Sequence, residues 1–330
     1  MPSHQGIIDA LTAFYEAVIK HLSLDDSALQ HPPAQGWNID VAAPGLDGKT
    51  DQVIELLQHT PYLSLGVGEY QIRIQVETAA LDYTKGCGCS IEEINPLPAN
   101  CVYLTEGISP DGYSLIVDVD TGMVTTYSVS GRDTRASVAE LSQLPASEQW
   151  RGDRKLPAIE LLSIWTRMYA RLVIMLVPNP PGHEATGAIR SRALSREHGE
   201  ELAQEVGPFQ EWYPSDVELS RCAGGGKDDV SRQLSEDQLR HTAAVFNAFL
   251  RHGWAENFDK VSGKLEVVEL EKQIRVKEKK ALAMMESGAG PSDHVEEDGL
   301  LRAHLRAQVD KLWEPKESRM RKKTGGAIHS

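Results

Sequence analysis

Residues 113–129 read YSLIVDVDTGMVTTYSV. YSLIVD (113–118) and MVTTYSV (123–129) each have the length and the β-branched, apolar composition of a strand. Only Val119, Asp120, Thr121 and Gly122 lie between them. A parallel pair needs a crossover of about a dozen residues or more, whereas a link of about four closes an antiparallel hairpin. Gly122 supplies the positive φ that such a turn needs. The spacing therefore predicts an antiparallel sheet in the middle of the chain and argues against a doubly wound parallel one.

The same stretch is the most enzyme-like in the chain. SLIVDVDTG (114–122) resembles the nucleophile loop of haloacid-dehalogenase-type phosphatases, in which two aspartates stand two residues apart after a buried strand. The resemblance implies Asp118 as nucleophile and Asp120 as general acid. An apolar strand would fix the carboxylate, and loop amides could cradle a phosphate. Two departures count against it. Those enzymes have Gly-Thr after the second aspartate, and this chain has Thr121-Gly122. They also need a long α/β crossover, and here MVTTYSV follows at once. Asp118 and Gly122 are therefore read as structural turn residues. A phosphomonoester hydrolase using Asp118 and Asp120 is the alternative function.

Around the hairpin the hydrophobic period changes twice. Ile7, Leu11, Phe14, Val18 and Leu22 recur at helical spacing, and Thr50 can cap a second helix carrying Val53, Ile54 and Leu57, which Pro61 ends. Tyr70, Ile72, Ile74 and Val76 alternate with polar residues, and CVYLT (101–105) is a further strand. IELLSIWTRMYARLVIMLVP (159–178) reads as one long helix opened by Pro157 and closed by Pro178. Arg167 and Arg171 make it a buried amphipathic helix rather than a membrane span. The fold class is α+β: an antiparallel sheet with N-terminal helices and one long covering helix, followed by a charged helical C-terminal region. The expected domains are an α+β domain at 1–178, a Pro/Gly linker at 179–192, a helical region at 193–313 and a disordered basic tail at 314–330. Within the helical region, Leu239, Phe246, Phe249 and Leu250 form one stripe. Val267, Leu270, Ile274, Ala281 and Met284 form a loose heptad that Lys277 breaks.

The net charge of −14 argues against a general nucleic-acid binder. No basic segment followed by an apolar core opens the chain, and four cysteines are too few for a disulfide scaffold at 330 residues. The expected compartment is therefore reducing, cytoplasm or nucleus. Arg319, Arg321, Lys322 and Lys323 form a nuclear-import candidate. Cys87 and Cys89 form a Cys-x-Cys pair that, with Cys101, could hold a soft metal such as zinc or copper(I), with His31 or His59 as candidate fourth ligand. The second paired cluster usual for zinc is missing, so the alternative is a surface loop of reduced thiols beside a buried Cys101. GGGK (224–227) fails as a phosphate loop, because Arg221 and Asp228 stand where glycine and Ser/Thr are needed. No Gly-x-Ser-x-Gly, His-Glu-x-x-His or Gly-x-Gly-x-x-Gly after a strand occurs. No cofactor is expected.

Several stretches in order resemble a group of uncharacterised proteins from filamentous fungi. They are HPPAQGW (31–37), GKTDQVIELLQHTPYL (48–63), ALDYT (80–84), DGYSLIVDVDTGMVTTY (111–127), VPNP (177–180) and HGWAENF (252–258). The resemblance spans most of residues 7–270. The middle part is similar to the Smi1/Knr4 (SUKH-like) fold, through its strand-Asp-turn-Gly-strand hairpin and flanking helices. That similarity implies a non-enzymatic module that binds a protein partner. The Cys-Gly-Cys loop and the charged C-terminal helices depart from the group's pattern.

Overall fold

Ile7, Leu11, Phe14 and Val18 put one face of the first helix, α1 (His4–Ile19), into the core, and all four side chains are buried. The computed structural model describes residues 4–43, 45–65, 72–85, 96–179, 187–222 and 229–286. The chain divides into two units, Met1–Glu278 and Lys279–Ser330, and only 279–286 of the second is described. No helix among the described residues is long and apolar enough to cross a membrane.

After α1 come β1 (Leu29–Gln30), α2 (Asp51–His59) and β2 (Tyr62–Leu63). Thr50 caps α2, its hydroxyl accepting from the Val53 amide at 3.4 Å. β1 and β2 form a short antiparallel ribbon. The main sheet follows: β3 (Arg73–Gln75), β4 (Thr78–Ala80), β5 (Cys101–Tyr103), β6 (Thr105–Gly107), β7 (Ser114–Asp118) and β8 (Met123–Tyr127). A short helix α3 (Val138–Leu141) precedes the last strand of this sheet, β9 (Lys155–Pro157). Two antiparallel ladders run in the orders β3-β4-β6 and β5-β7-β8-β9.

β5 and β6 are two parts of one extended run that bends at Leu104, and this joins the ladders. The Leu104 amide donates to Leu115 O at 2.8 Å on one side, while its carbonyl accepts from the Leu81 amide at 3.4 Å on the other. Next to the bend the Thr105 hydroxyl donates to Tyr113 O at 2.8 Å and accepts from the Leu115 amide at 3.0 Å. One side chain thus satisfies backbone groups that the shifted ladder would leave unpaired. The α+β class with an antiparallel sheet is what the structure has.

The covering helix is shorter than the periodicity predicts. α4 (Ala158–Ala170) ends at Arg171, Leu172 takes φ +52°, and Ile174–Val177 form a strand, β10. The reason lies in where β10 sits. Ile174 and Leu176 belong to the core built on α1, α4 and the sheet, whereas Met175 and Val177 belong to a second cluster with Phe246, Phe249 and Val267. A strand buried on both faces reads as an unbroken apolar run, which periodicity cannot tell from the end of a buried helix.

β10 pairs along its length with β11 (Ala188–Ser191). Residues 188–191 were expected in a linker and are a strand instead. The remaining helices are α5 (Arg196–Ala203), α6 (Asp216–Cys222), α7 (Asp229–Arg251) and α8 (Lys260–Glu286). α5 packs on α4, and α7 supplies Val245, Phe246, Ala248 and Phe249 to the second cluster. Residues up to Glu278 belong to one unit, so the boundary expected at 178 does not separate two.

Candidate functional site

The loop HPPAQGW lies against the end of α2. Gly36 takes φ +78°, and a Cβ there would stand 3.2 Å from Gln58 O. Glycine thus permits both the turn and the close approach. The Trp37 amide then donates to Gln58 O at 2.8 Å, and the indole Nε1 donates to Thr60 O at 2.8 Å. The Trp37 ring stands 6.0 Å from the Tyr62 ring, whose hydroxyl donates to Leu57 O at 2.7 Å. With their polar atoms bonded to the backbone of α2 and its C-terminus, both rings are fixed in place.

These rings line a cleft of about 440 Å³. The segment before and within β1 contributes Ser23, Asp25, Ser27 and Gln30, and the segment after β4 contributes Asp82 and Thr84. The cleft falls within the size range of ligand sites. Among the described residues its lining holds two carboxylates, Asp25 and Asp82, and no lysine, arginine or histidine. Asp82 is held by its own turn: Oδ1 accepts from the Thr84 amide at 3.0 Å and from the Thr84 hydroxyl at 2.6 Å. Its Oδ2 is buried and accepts no hydrogen bond, and its ion-pair partner Lys85 stands 3.8 Å away. Burial raises the hydroxyl pKa of Tyr15 and Tyr62, and the negative charge of Asp82 raises both further.

The Asp118 loop closes on itself. Asp118 Oδ1 accepts from Asn100 Nδ2 at 2.8 Å and from the Asp120 amide at 3.0 Å. The Gly122 amide donates to Asp118 O at 2.8 Å, with Gly122 at φ +68°. The Val119 amide donates to Asn100 O at 3.0 Å, and the Met123 amide to Thr121 Oγ1 at 3.3 Å. The amides of 119, 120, 122 and 123 are all engaged within the hairpin and its neighbour, whereas a phosphate cradle needs such amides pointing at the ligand. Asp120 is exposed.

Cys101 is buried in β5, and burial, with Asp118 adding to it, pushes its thiol up to about 11. Cys87 and Cys89 lie outside the described residues, as do Arg319, Arg321, Lys322 and Lys323. Among the described residues no group of three or more His, Cys, Asp or Glu could hold a metal ion.

Sequence reasoning passed over the cleft. Trp37 lies in the HPPAQGW stretch, which carries no site motif, and neither do the carboxylates Asp25 and Asp82. Ser23 and Thr84 are far apart in the chain, so only the fold brings them to one site. Two buried ionic groups were also missed. Glu271 is fully buried between Arg190 and His241, and Asp133 is buried against Arg196 and the Thr126 hydroxyl. No family model, curated protein or solved structure matches the chain.

Proposed function

We propose that this chain is a non-enzymatic protein-interaction module and that the cleft beside Trp37 and Tyr62 holds part of the partner. The observation that carries this reading is the lining of the cleft. Among the described residues it offers the fixed Trp37 ring backed by Tyr62, hydroxyls and carboxylates, and no histidine, cysteine or lysine to act as base or nucleophile. Anchored aromatics with a few polar groups are what a recognition site uses. The similarity of the central hairpin and flanking helices to the Smi1/Knr4 (SUKH-like) fold supports the same direction, as fold analogy. The hydrolase alternative loses support from the Asp118 loop, where the amides that would receive phosphate are already bonded. Cytoplasm or nucleus remains the proposed location, from cysteine usage and the basic run at 319–323.

The test is affinity capture from a lysate of the source cells with the full-length chain and with Ser27→Arg, read by mass spectrometry. Ser27 is exposed in the cleft, so the bulky substitution blocks it without touching the core. A near-stoichiometric partner lost in Ser27→Arg is the expected result. A partner retained by the variant would place the interaction elsewhere on the chain. No partner with either protein would overturn the module reading.

A further inference from the structure

We infer that the cleft recognises a cationic side chain, lysine or arginine, presented by a segment of the partner protein. The inference rests on the module reading above and adds the chemistry of the occupant.

Three features converge. The first is charge. Asp25 and Asp82 enter the cleft from two separate segments, and no basic side chain lines it among the described residues. Lys85 pairs with Asp82 only at 3.8 Å, and the Asp82 Oδ2 that faces it accepts no hydrogen bond. The part of Asp82 that stays exposed and the exposed Asp25 together give an incoming ammonium or guanidinium a negative surface to pair with. Asp25 flanks a short helical turn at 26–28, and its side chain makes no capping bond there. The second feature is the aromatic surface. The half-buried Trp37 ring is held by its indole N–H and backed by the buried Tyr62 ring, and a cation over the indole face gains further attraction. The third is hydroxyl content. Ser27 and Thr84 stand in the lining as exposed acceptors for the remaining N–H groups of a bound cation. An anionic ligand would meet two carboxylates against the single, already paired Lys85, and a purely apolar one would strand these polar groups.

The test uses the full-length chain on an array of immobilised short peptides of varied sequence, including acidic, neutral and basic sets. Bound peptides are expected to share a lysine or arginine, and binding to weaken as salt rises. Asp25→Asn combined with Asp82→Asn removes both charges and keeps the side-chain shapes. The amide oxygen introduced by Asp82→Asn can still accept from Thr84. That double variant is expected to bind the selected peptides about ten-fold less tightly. Ser27→Arg, which puts a cation in the cleft, is expected to abolish binding. Thermal melts of the three proteins check that each is folded. Capture of neutral or acidic peptides that is lost in Ser27→Arg but unaffected by the double variant would overturn the cationic preference while leaving the module reading in place. No captured peptide in any set would overturn both.

Discussion

His21 shows how much one side chain can carry. It is fully buried, and its ring lies within 4.8–5.2 Å of the rings of Tyr169, Phe249 and Trp254. The Leu176 amide donates to Nδ1 at 3.2 Å, so the proton sits on Nε2 and is donated to Tyr169 O at 3.2 Å. Burial lowers its pKa from 6.5 to about 3. The unfolded chain therefore binds a proton that the folded one refuses between those values. Stability is full above about 6.5 and falls as pH drops toward 3. In denaturant titrations across this window, His21→Gln is expected to flatten the slope relative to the parent chain. Equal slopes would show that His21 is not held neutral. Gly122 makes a second prediction at this scale. At φ +68° a β-branched residue is strained, so Gly122→Val should lower stability by about 1–3 kcal/mol. Asp120→Ala, at an exposed position, should leave the melting temperature near its parent value. The two sites also differ in how far the sequence foretold them. Gly122 was legible because its turn is local chemistry within a few residues. His21 was not, because its two partners lie 148 and 155 residues away, and no window on the chain contains them.

At the scale of elements, α8 shows where pattern reading stops. Its inward seam includes Val267 and Ile274, which the heptad named, and also Glu271, which it did not. A glutamate at such a position reads as solvent-facing until its partners are known. Those partners come from other elements: Arg190 on β11, whose Nε donates at 2.9 Å, and His241 on α7, whose Nε2 stands 2.8 Å away. Burial alone would push the carboxyl up, but the hydrogen bonds and charges of Arg190 and His241 outweigh it and hold the group at about 2. Its folded value is depressed, so the stabilisation is present above the ordinary carboxylate range and is lost as pH falls through about 2. Glu271→Gln leaves Arg190 buried without its counter-charge and should cost about 3–5 kcal/mol in urea unfolding. Replacing all three by apolar residues of similar size should cost far less, because no charge is then stranded. A triple variant weaker than Glu271→Gln would mean that the ion group itself holds β11, α7 and α8 together. The end of α4 failed for a related reason. Arg171 and Leu172 reverse the chain there, but the apolar run continues unchanged because β10 is covered on both faces.

At the scale of the whole molecule, β10 decides whether the first 178 residues can stand alone. Ile174 and Leu176 complete the core of α1, α4 and the sheet, while Met175 and Val177 face the cluster of Phe246, Phe249 and Val267. A chain ending at residue 178 would keep the first pair and expose the second. It would also strip β10 of the β11 ladder, leaving an apolar edge open to other chains. Trp254 Nε1 donates to Ala170 O at 3.1 Å and Lys260 Nζ donates to Ile19 O at 2.7 Å, so α1 and α4 would lose bonds as well. The 1–178 fragment is therefore expected to aggregate on expression, and limited proteolysis of the full chain should release no stable fragment ending near 178. Sequence composition pointed to a boundary there because Pro178, Pro180 and Pro181 punctuate the chain. Proline ends an element without ending a core, and the partner of β10 lies on the far side of the break. A soluble, cooperatively melting 1–178 fragment would show instead that the second cluster is an accessory, and the cleft, whose lining runs from Ser23 to Thr84, could then be tested on that fragment alone.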